Sequence, residues 1–317
     1  MSIDVDGEDL KYWAKAAAIG AIGILTLRIL YRLHTDEKAR KDLAEFLAQI
    51  GLYTRSVPVT LASTDKKYPL SLHSVTPLNH NVSRLRFQLP SDDHVIGVPP
   101  GQHVALSAVL PAGRRVLRMY SPVSSSSLRG FVDLVIKKYD NEGALSRYIH
   151  SLAEGDSIDF SGPRGHILFK GRGLFVVKKG KTKERLGKFH HISMIAGGTG
   201  LTPMIQVLRT ALEDHSDSTT IHLLFANTTE QDVFMRDELD SLAELYAYRF
   251  KVTYTVSQPG PTWGGATGRA DTQSNISLLS CPSPQHVILI CGPNPMVAAV
   301  QKTLKEQKHS ERNILVF

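Results

Sequence analysis

His191-Ile192-Ser193-Met194-Ile195-Ala196-Gly197-Gly198-Thr199-Gly200-Leu201-Thr202-Pro203-Met204 is the stretch on which the fold of this chain turns. The run from His191 to Ala196 has the length and apolar character of a buried strand. Glycines end it, and helix-start signals follow: Thr202 is a residue type that caps, and Pro203 suits a first helical position. Glycines at such a turn let the backbone approach a phosphate group closely. The partial positive charge of the helix N-terminus then adds attraction. The spacing is not the G-x-G-x-x-G fingerprint, and a plain strand-to-helix turn reads the same way when taken alone.

Toward the C-terminus the rhythm repeats. Ile221 to Ala226 reads as a second strand, followed by an acidic helix. Phe250 to Val256 is a third strand, and Val287 to Cys291 a fourth, with a turn and a helix from about Pro295. This alternation predicts a doubly wound α/β parallel sheet over 189–317. Ligands of such sheets bind beyond the carboxyl ends of the strands, where the turns at Gly197–Gly200 and Cys291–Pro295 fall. In Cys291-Gly292-Pro293-Asn294-Pro295-Met296 the cysteine is expected as the last strand residue, facing that crevice. A buried structural cysteine is the plainer alternative.

Toward the N-terminus the pattern becomes β. Leu85, Phe87 and Leu89 alternate with Arg84, Arg86 and Gln88, and Phe131 to Ile136 is another strand-like run. Turn signals at Pro99–Gly101, Pro111–Gly113 and Gly162–Gly165 separate short strands, which predicts a small antiparallel β-barrel over 68–172. Residues 173–188 read as a linker, with the basic run Lys178, Lys179, Lys181, Lys183 and Arg185 as a solvated loop. Within the barrel, Arg118-Met119-Tyr120-Ser121-Pro122-Val123-Ser124 is a candidate for chemistry, with an ordinary half-buried strand as the plainer alternative. On an extended segment Arg118, Tyr120 and Ser124 share one face and Ser121 points the other way. Arginine holds a phosphate bidentately, and tyrosine offers a flat face to a ring system.

The first 67 residues differ again. Ala16 to Leu27 is free of charge, Arg28 interrupts, and Ile29, Leu30 and Tyr31 continue. Tyr12, Trp13 and Tyr31 flank the stretch as an aromatic belt does. A helix over 12–31 would run about 30 Å, enough to cross a bilayer, although the short uninterrupted run also suits a buried core helix. Asp4, Asp6, Glu8 and Asp9 precede it, while Arg32, Lys38, Arg40 and Lys41 follow, so the positive-inside rule expects the body in the cytosol. The expected location is the endoplasmic reticulum or the mitochondrial outer membrane, the two left unseparated. Leu43, Phe46, Leu47 and Ile50 predict a short amphipathic helix, and 51–67 a further linker.

Two cysteines, Cys281 and Cys291, are too few for a disulfide framework or a four-ligand zinc or iron–sulfur site, so no metal is expected. A net charge of +7 raises the question of nucleic acid, but no recognition motif accompanies it, and an acidic protein or a membrane suits it better.

The order of these segments resembles the ferredoxin–NADP reductase superfamily, and within it the NADH–cytochrome b5 reductase family. The likeness spans about 68–317 and includes Gly101-Gln102-His103, Leu134-Val135-Ile136-Lys137, Gly143-Ala144-Leu145-Ser146, Phe160-Ser161-Gly162-Pro163, Leu223-Leu224-Phe225-Ala226-Asn227 and Val316-Phe317. The resemblance implies a membrane-anchored reductase that passes electrons from NADH through FAD to cytochrome b5, an acidic haem protein. A reductase serving another acceptor and an inactive cofactor-binding adaptor are the alternatives. By the same resemblance Arg118 binds the FAD pyrophosphate, Tyr120 and Ser121 lie beside the flavin, and Ser124 belongs to the same cofactor segment. Gly143, Leu145 and Ser146 bind the flavin phosphates, and Thr202 is the flavin-side threonine. Lys137, Gly197, Gly198, Thr199, Cys291, Gly292, Pro293 and Met296 line the dinucleotide cleft, with Ser121, Lys137 and Cys291 nearest the chemistry. Two departures stand out. Ala144-Leu145 replaces the Lys-Met common in the family, and Ser257 replaces an acid that binds the adenine ribose.

Overall fold

Alternation of apolar and charged residues builds the first sheet. In β2 (Val82–Gln88), Leu85 and Phe87 are fully buried while Arg84 and Arg86 lie on the other side. It pairs with β1 (Tyr68–Pro77) and β5 (Phe131–Lys137). With β3 (His103–Val109), β4 (Arg115–Tyr120) and β6 (Ser157–Arg164) they form a six-stranded sheet in the order β4-β3-β6-β1-β2-β5. Every pair is antiparallel. The two outer strands are joined beyond β4: Pro122 bridges Leu134, and the Val123 N–H donates to the Asp133 carbonyl at 2.9 Å. The sheet thereby curls into a barrel whose ends meet just past β4, while β4 itself keeps one edge unpaired. Its interior holds Leu72, Leu106, Leu134 and Ile136 around an edge-to-face contact of Phe87 and Phe160, 5.0 Å between centroids. Helix α1 (Ala144–His150) packs against β4.

The computed structural model describes residues 57–110, 113–139, 144–180, 182–279 and 282–317, with Asp36 and Lys38. The membrane helix expected near 12–31 and the amphipathic helix after it lie outside the described residues. Among the described residues no helix is long and apolar enough to cross a membrane. Residues 58–317 form one unit.

The connecting stretch at 173–188 holds more structure than a linker needs. It forms β8 (Leu174–Lys179) and β9 (Thr182–Lys188), a hairpin that joins β7 (Ile167–Phe169) in a three-stranded antiparallel sheet. Phe175, Val177 and Leu186 are buried, and the Phe175 ring packs at a tilt against Phe169, 4.8 Å between centroids. The apolar run Leu174 to Val177 is short, and the basic residues that follow it dominate the reading of the sequence.

The second large sheet is parallel throughout. It comprises β10 (His191–Gly197), β11 (Thr220–Asn227), β12 (Phe250–Val256), β13 (Ala266–Thr267), β14 (His286–Cys291) and β15 (Ile314–Val316), in the order β13-β12-β11-β10-β14-β15. Met194 and Ala196 of β10 face one apolar layer with α2 (Leu201–Glu213) and α3 (Arg236–Leu245). Ile195 faces the other, with α4 (Gln273–Ile276) and α5 (Asn294–Glu306). The first layer also takes in Val82, Val123 and Val135 of the barrel and Phe169, Phe175 and Phe189 of the hairpin region.

One helix start differs from expectation. The cap position of α2 is Gly200, and Pro203 is its third residue. Thr202 lies inside the first turn, donating its hydroxyl to the Thr199 carbonyl at 3.1 Å. The reason is that Gly198–Gly200 already coils as a 3₁₀ turn running into α2.

Candidate functional site

Strand β10 has β11 on one side and β14 on the other, so the connections change direction between β10 and β14. A crevice opens beyond the carboxyl ends of strands at such a point. Its walls are two turns packed backbone to backbone. A Cβ on Gly292 would lie 3.2 Å from the Gly197 Cα and 2.5 Å from the Met296 methyl, and one on Gly197 would lie 2.5 Å from the Met296 sulfur. A Cβ on Gly200 would reach within 2.2 Å of the Cys291 carbonyl oxygen. Gly198 differs. Its φ is +52°, and nothing lies within 4 Å of where a Cβ would stand. Its backbone therefore borders open space, at a conformation that costs glycine little. Thr199 is half-buried, Pro293 is exposed, and the N-terminus of α2 adds partial positive charge.

Cys291 ends β14, the strand position expected from the sequence, and is half-buried. Burial pushes its thiol up to about 11. At neutral pH it is therefore a protonated, weakly polar wall and not a thiolate nucleophile.

The barrel side is built of side chains. Arg118 stands exposed on the edge strand β4, one of its amino groups donating to the Leu117 carbonyl at 2.8 Å. Tyr120 is half-buried against the barrel core, and that burial pushes its phenol up to about 12, with Arg118 acting in the opposite sense. It therefore stays neutral. Ser121, half-buried, follows immediately. In α1 the Ser146 hydroxyl accepts from the Tyr139 N–H at 3.3 Å. Leu145 is 2% exposed and belongs to the barrel core, so only its backbone is free for a ligand. Gly143 lies outside the described residues.

Ser124 does not share a face with Arg118 and Tyr120. β4 stops at Tyr120, Pro122 bridges Leu134 of β5 instead of continuing along β3, and at the bend that follows the buried Ser124 hydroxyl accepts from the Asp133 N–H at 3.1 Å. The alternation read from the sequence fails because Pro122 breaks the strand.

The two halves of the site meet at Lys137, the last residue of β5. The Gly198–Gly200 turn packs against β5, and the Lys137 ammonium lies 3.9 Å from Asp232 Oδ1. Asp232 itself is fixed by Thr229, whose N–H and hydroxyl donate to Oδ2 at 3.0 and 2.8 Å. The Asn79 amide donates to the carbonyls of Gln231 and Asp232, and His80 lies 3.8 Å from Asp232 Oδ1. No motif marked Asn79, His80 or Asp232 for this role. The one signal was the T-x-x-D spacing of a capping box at Thr229–Asp232. His103 has no sequence signal of its own beyond Gly101-Gln102-His103. It lies next to Val104, the cross-strand partner of Tyr120, and burial together with His166 and Arg164 pushes its pKa down.

Ser257 is exposed just beyond β12, its N–H donating to the Asn227 carbonyl at 3.1 Å. Close by in sequence, Arg269 is paired with Asp271 at 2.9 Å, and Trp263 and Tyr254 both stack with Arg236, at 5.5 and 5.1 Å. Among the described residues no cluster of three or more potential metal ligands occurs.

Known proteins share this arrangement. Residues 69–169 match the oxidoreductase FAD-binding domain family, and 194–302 the oxidoreductase NAD-binding domain family. NADH-cytochrome b5 reductase 2 of Gallus gallus is 42% identical, aligned over 76% of this chain and 82% of its own. NADH-cytochrome b5 reductase 3 of Rattus norvegicus is 38% identical, over 84% and 92%. The cytochrome b5 reductase domain of Ulva prolifera nitrate reductase superimposes with a TM-score of 0.75 at 32% identity, covering 81% of this chain and 99% of that domain.

Proposed function

The chain belongs to the NADH–cytochrome b5 reductase family, and on that premise we propose that it carries electrons from NADH through FAD to cytochrome b5. The observation that carries the reading is the packing of the Gly198–Gly200 turn against β5 of the barrel, which brings a dinucleotide-type crevice up to the FAD-binding half. The residues present suit both cofactors. An exposed guanidinium beside a half-buried tyrosine fits a phosphate next to a ring. The space at Gly198 fits close approach of a phosphate to backbone.

On this reading Arg118 holds the FAD pyrophosphate, assisted by Gly143, the Leu145 backbone and Ser146. Tyr120 and Ser121 flank the flavin, with Thr202 approaching it from the other half. Ser124 supports the closure of the barrel instead of touching the cofactor. Lys137, Gly197, Gly198, Thr199, Gly292, Pro293 and Met296 shape the dinucleotide cleft, Ser257 meets the adenine ribose, and Cys291 keeps water from the nicotinamide. Bound FAD supplies the step from hydride donor to one-electron acceptor. The protein's part is to orient both cofactors and exclude solvent. Residues 12–31 are proposed to anchor the chain to a membrane, with the body in the cytosol; the apolar stretch and its charged flanks support this.

The test is steady-state turnover of the FAD-loaded protein with NADH, using ferricyanide and cytochrome b5 as alternative acceptors. Reduction of both is expected. Turnover with ferricyanide alone would reassign the acceptor, and turnover with neither would make the protein a binding module.

A further inference from the structure

We propose that Glu238 is a positioning residue for hydride transfer: it is an electrostatic strut that sets the distance between the two halves of the site. The side chain stands on α3, and its two carboxylate oxygens go to different lobes. Arg84 of β2, in the barrel, donates to Oε2 at 2.6 Å, and Arg209 of α2 donates to Oε1. All three side chains are only 27–28% exposed, so solvent screens the cluster less than it screens a surface pair. The Nε atoms of both arginines are buried and lack hydrogen-bond partners among the described residues. Two cations therefore depend on one anion at the junction.

The position of α2 matters because the helix continues directly from the Gly198–Gly200 turn. A second contact holds the same helix to the barrel: the Gly101 N–H donates to Gln206 Oε1 at 3.2 Å. Fixing Arg209 fixes the register of α2 against the barrel, and so the approach of the glycine turn to β5. Neutralising Glu238 would do more than lose a tie. It would leave two guanidiniums facing one another, and like charges push α2 and β2 apart. Hydride transfer is steeply sensitive to such displacement, so a variant that folds and binds FAD normally should still transfer slowly.

The inference rests on the proposed NADH-to-FAD reading, and the experiment separates the two. Stopped-flow bleaching of the flavin is followed in the FAD-loaded protein at saturating NADH, over a range of KCl concentrations. Glu238→Gln is expected to retain FAD and to slow hydride transfer by about ten- to a hundredfold at low salt. Added KCl should recover a small part of that loss, because the cluster is still about a quarter exposed and salt screens the repulsion to that extent. Arg84→Met in the Glu238→Gln background should recover most of it at low salt, since the repelling partner is gone. Amide exchange in β2 and α2, measured in the same protein without NADH, should quicken in Glu238→Gln and slow again in the double variant. A transfer rate in Glu238→Gln within about twofold of the parent would overturn the strut, as would a loss that neither salt nor Arg84→Met relieves. If Glu238→Gln does not fold, the double variant should, and its failure to fold would likewise overturn the proposal. If the parent itself does not bleach with NADH, the functional reading fails instead, and the exchange measurement alone decides on the strut.

Discussion

Arg118 and Tyr120 present side chains on an edge strand, whereas Gly197, Gly198 and Gly200 present backbone at the end of a buried one. The two halves of the site therefore tolerate change differently. In the barrel half a ligand-binding group can be removed while the strand beneath it stays paired, because β4 is held by its ladder to β3. In the parallel-sheet half the binding surface and the packing are the same atoms, so altering one alters the other. A side-chain site should lose its ligand before its fold, and a backbone site its fold before its ligand.

The largest effect that probes this contrast is expected at Gly200. A methyl there would lie 2.2 Å from the Cys291 carbonyl oxygen, a backbone atom with no rotamer to move away. Gly200→Ala should cost about 3 kcal/mol or more, read as a lower urea midpoint, because overpacking has no local relief. Gly198→Ala is the sharpening control. It meets no neighbour and carries only the penalty of its +52° φ, about 1 kcal/mol. Equal midpoints for the two variants would break the contrast.

Arg118→Ala comes next, on the other side. The proposed charge-assisted contact to the FAD pyrophosphate is worth about 1.5–3 kcal/mol, so FAD affinity should fall by about ten- to a hundredfold while the urea midpoint of the FAD-free protein stays put. Unchanged affinity in a fluorescence titration would remove Arg118 from the phosphate site.

The smallest effect is expected at Ser257, where the backbone half uses a side chain. Without a carboxylate there, repulsion of a 2′-phosphate is weak, and NADPH should support turnover below that with NADH. Ser257→Asp should raise the NADH-to-NADPH ratio of kcat/KM several-fold, on the scale of a single exposed charge contact. A ratio that does not move would show that Ser257 does not face the adenine ribose.

The same contrast explains what could be read from the sequence. Strand-and-helix alternation after His190 is written in continuous apolar runs, and β12 at Phe250–Val256 falls where that reading placed it. Glycine turns at strand ends are likewise local signals. Ser124 does not follow the alternation because Pro122 moves the chain to a new partner strand, and the hairpin of β8 and β9 is hidden because its apolar run, Leu174 to Val177, is short and a basic run follows it. Asp232 was legible only as one end of the Thr229–Asp232 capping spacing, and Glu238 not at all. Each earns its place from a partner more than 90 residues away in sequence, Lys137 in one case and Arg84 in the other, and no local pattern encodes such a meeting.

The apolar layer that runs from Val82, Val123 and Val135 of the barrel through Phe169 and Phe175 into α2 has a consequence for how the molecule comes apart. Two lobes joined only by a tether would melt separately, each with its own cofactor. Here the seam is itself hydrophobic core, so peeling one lobe away exposes the flank of the other. The body from residue 58 onward should behave as a single cooperative unit, in which occupancy of one cofactor pocket slows the opening of the neighbouring one.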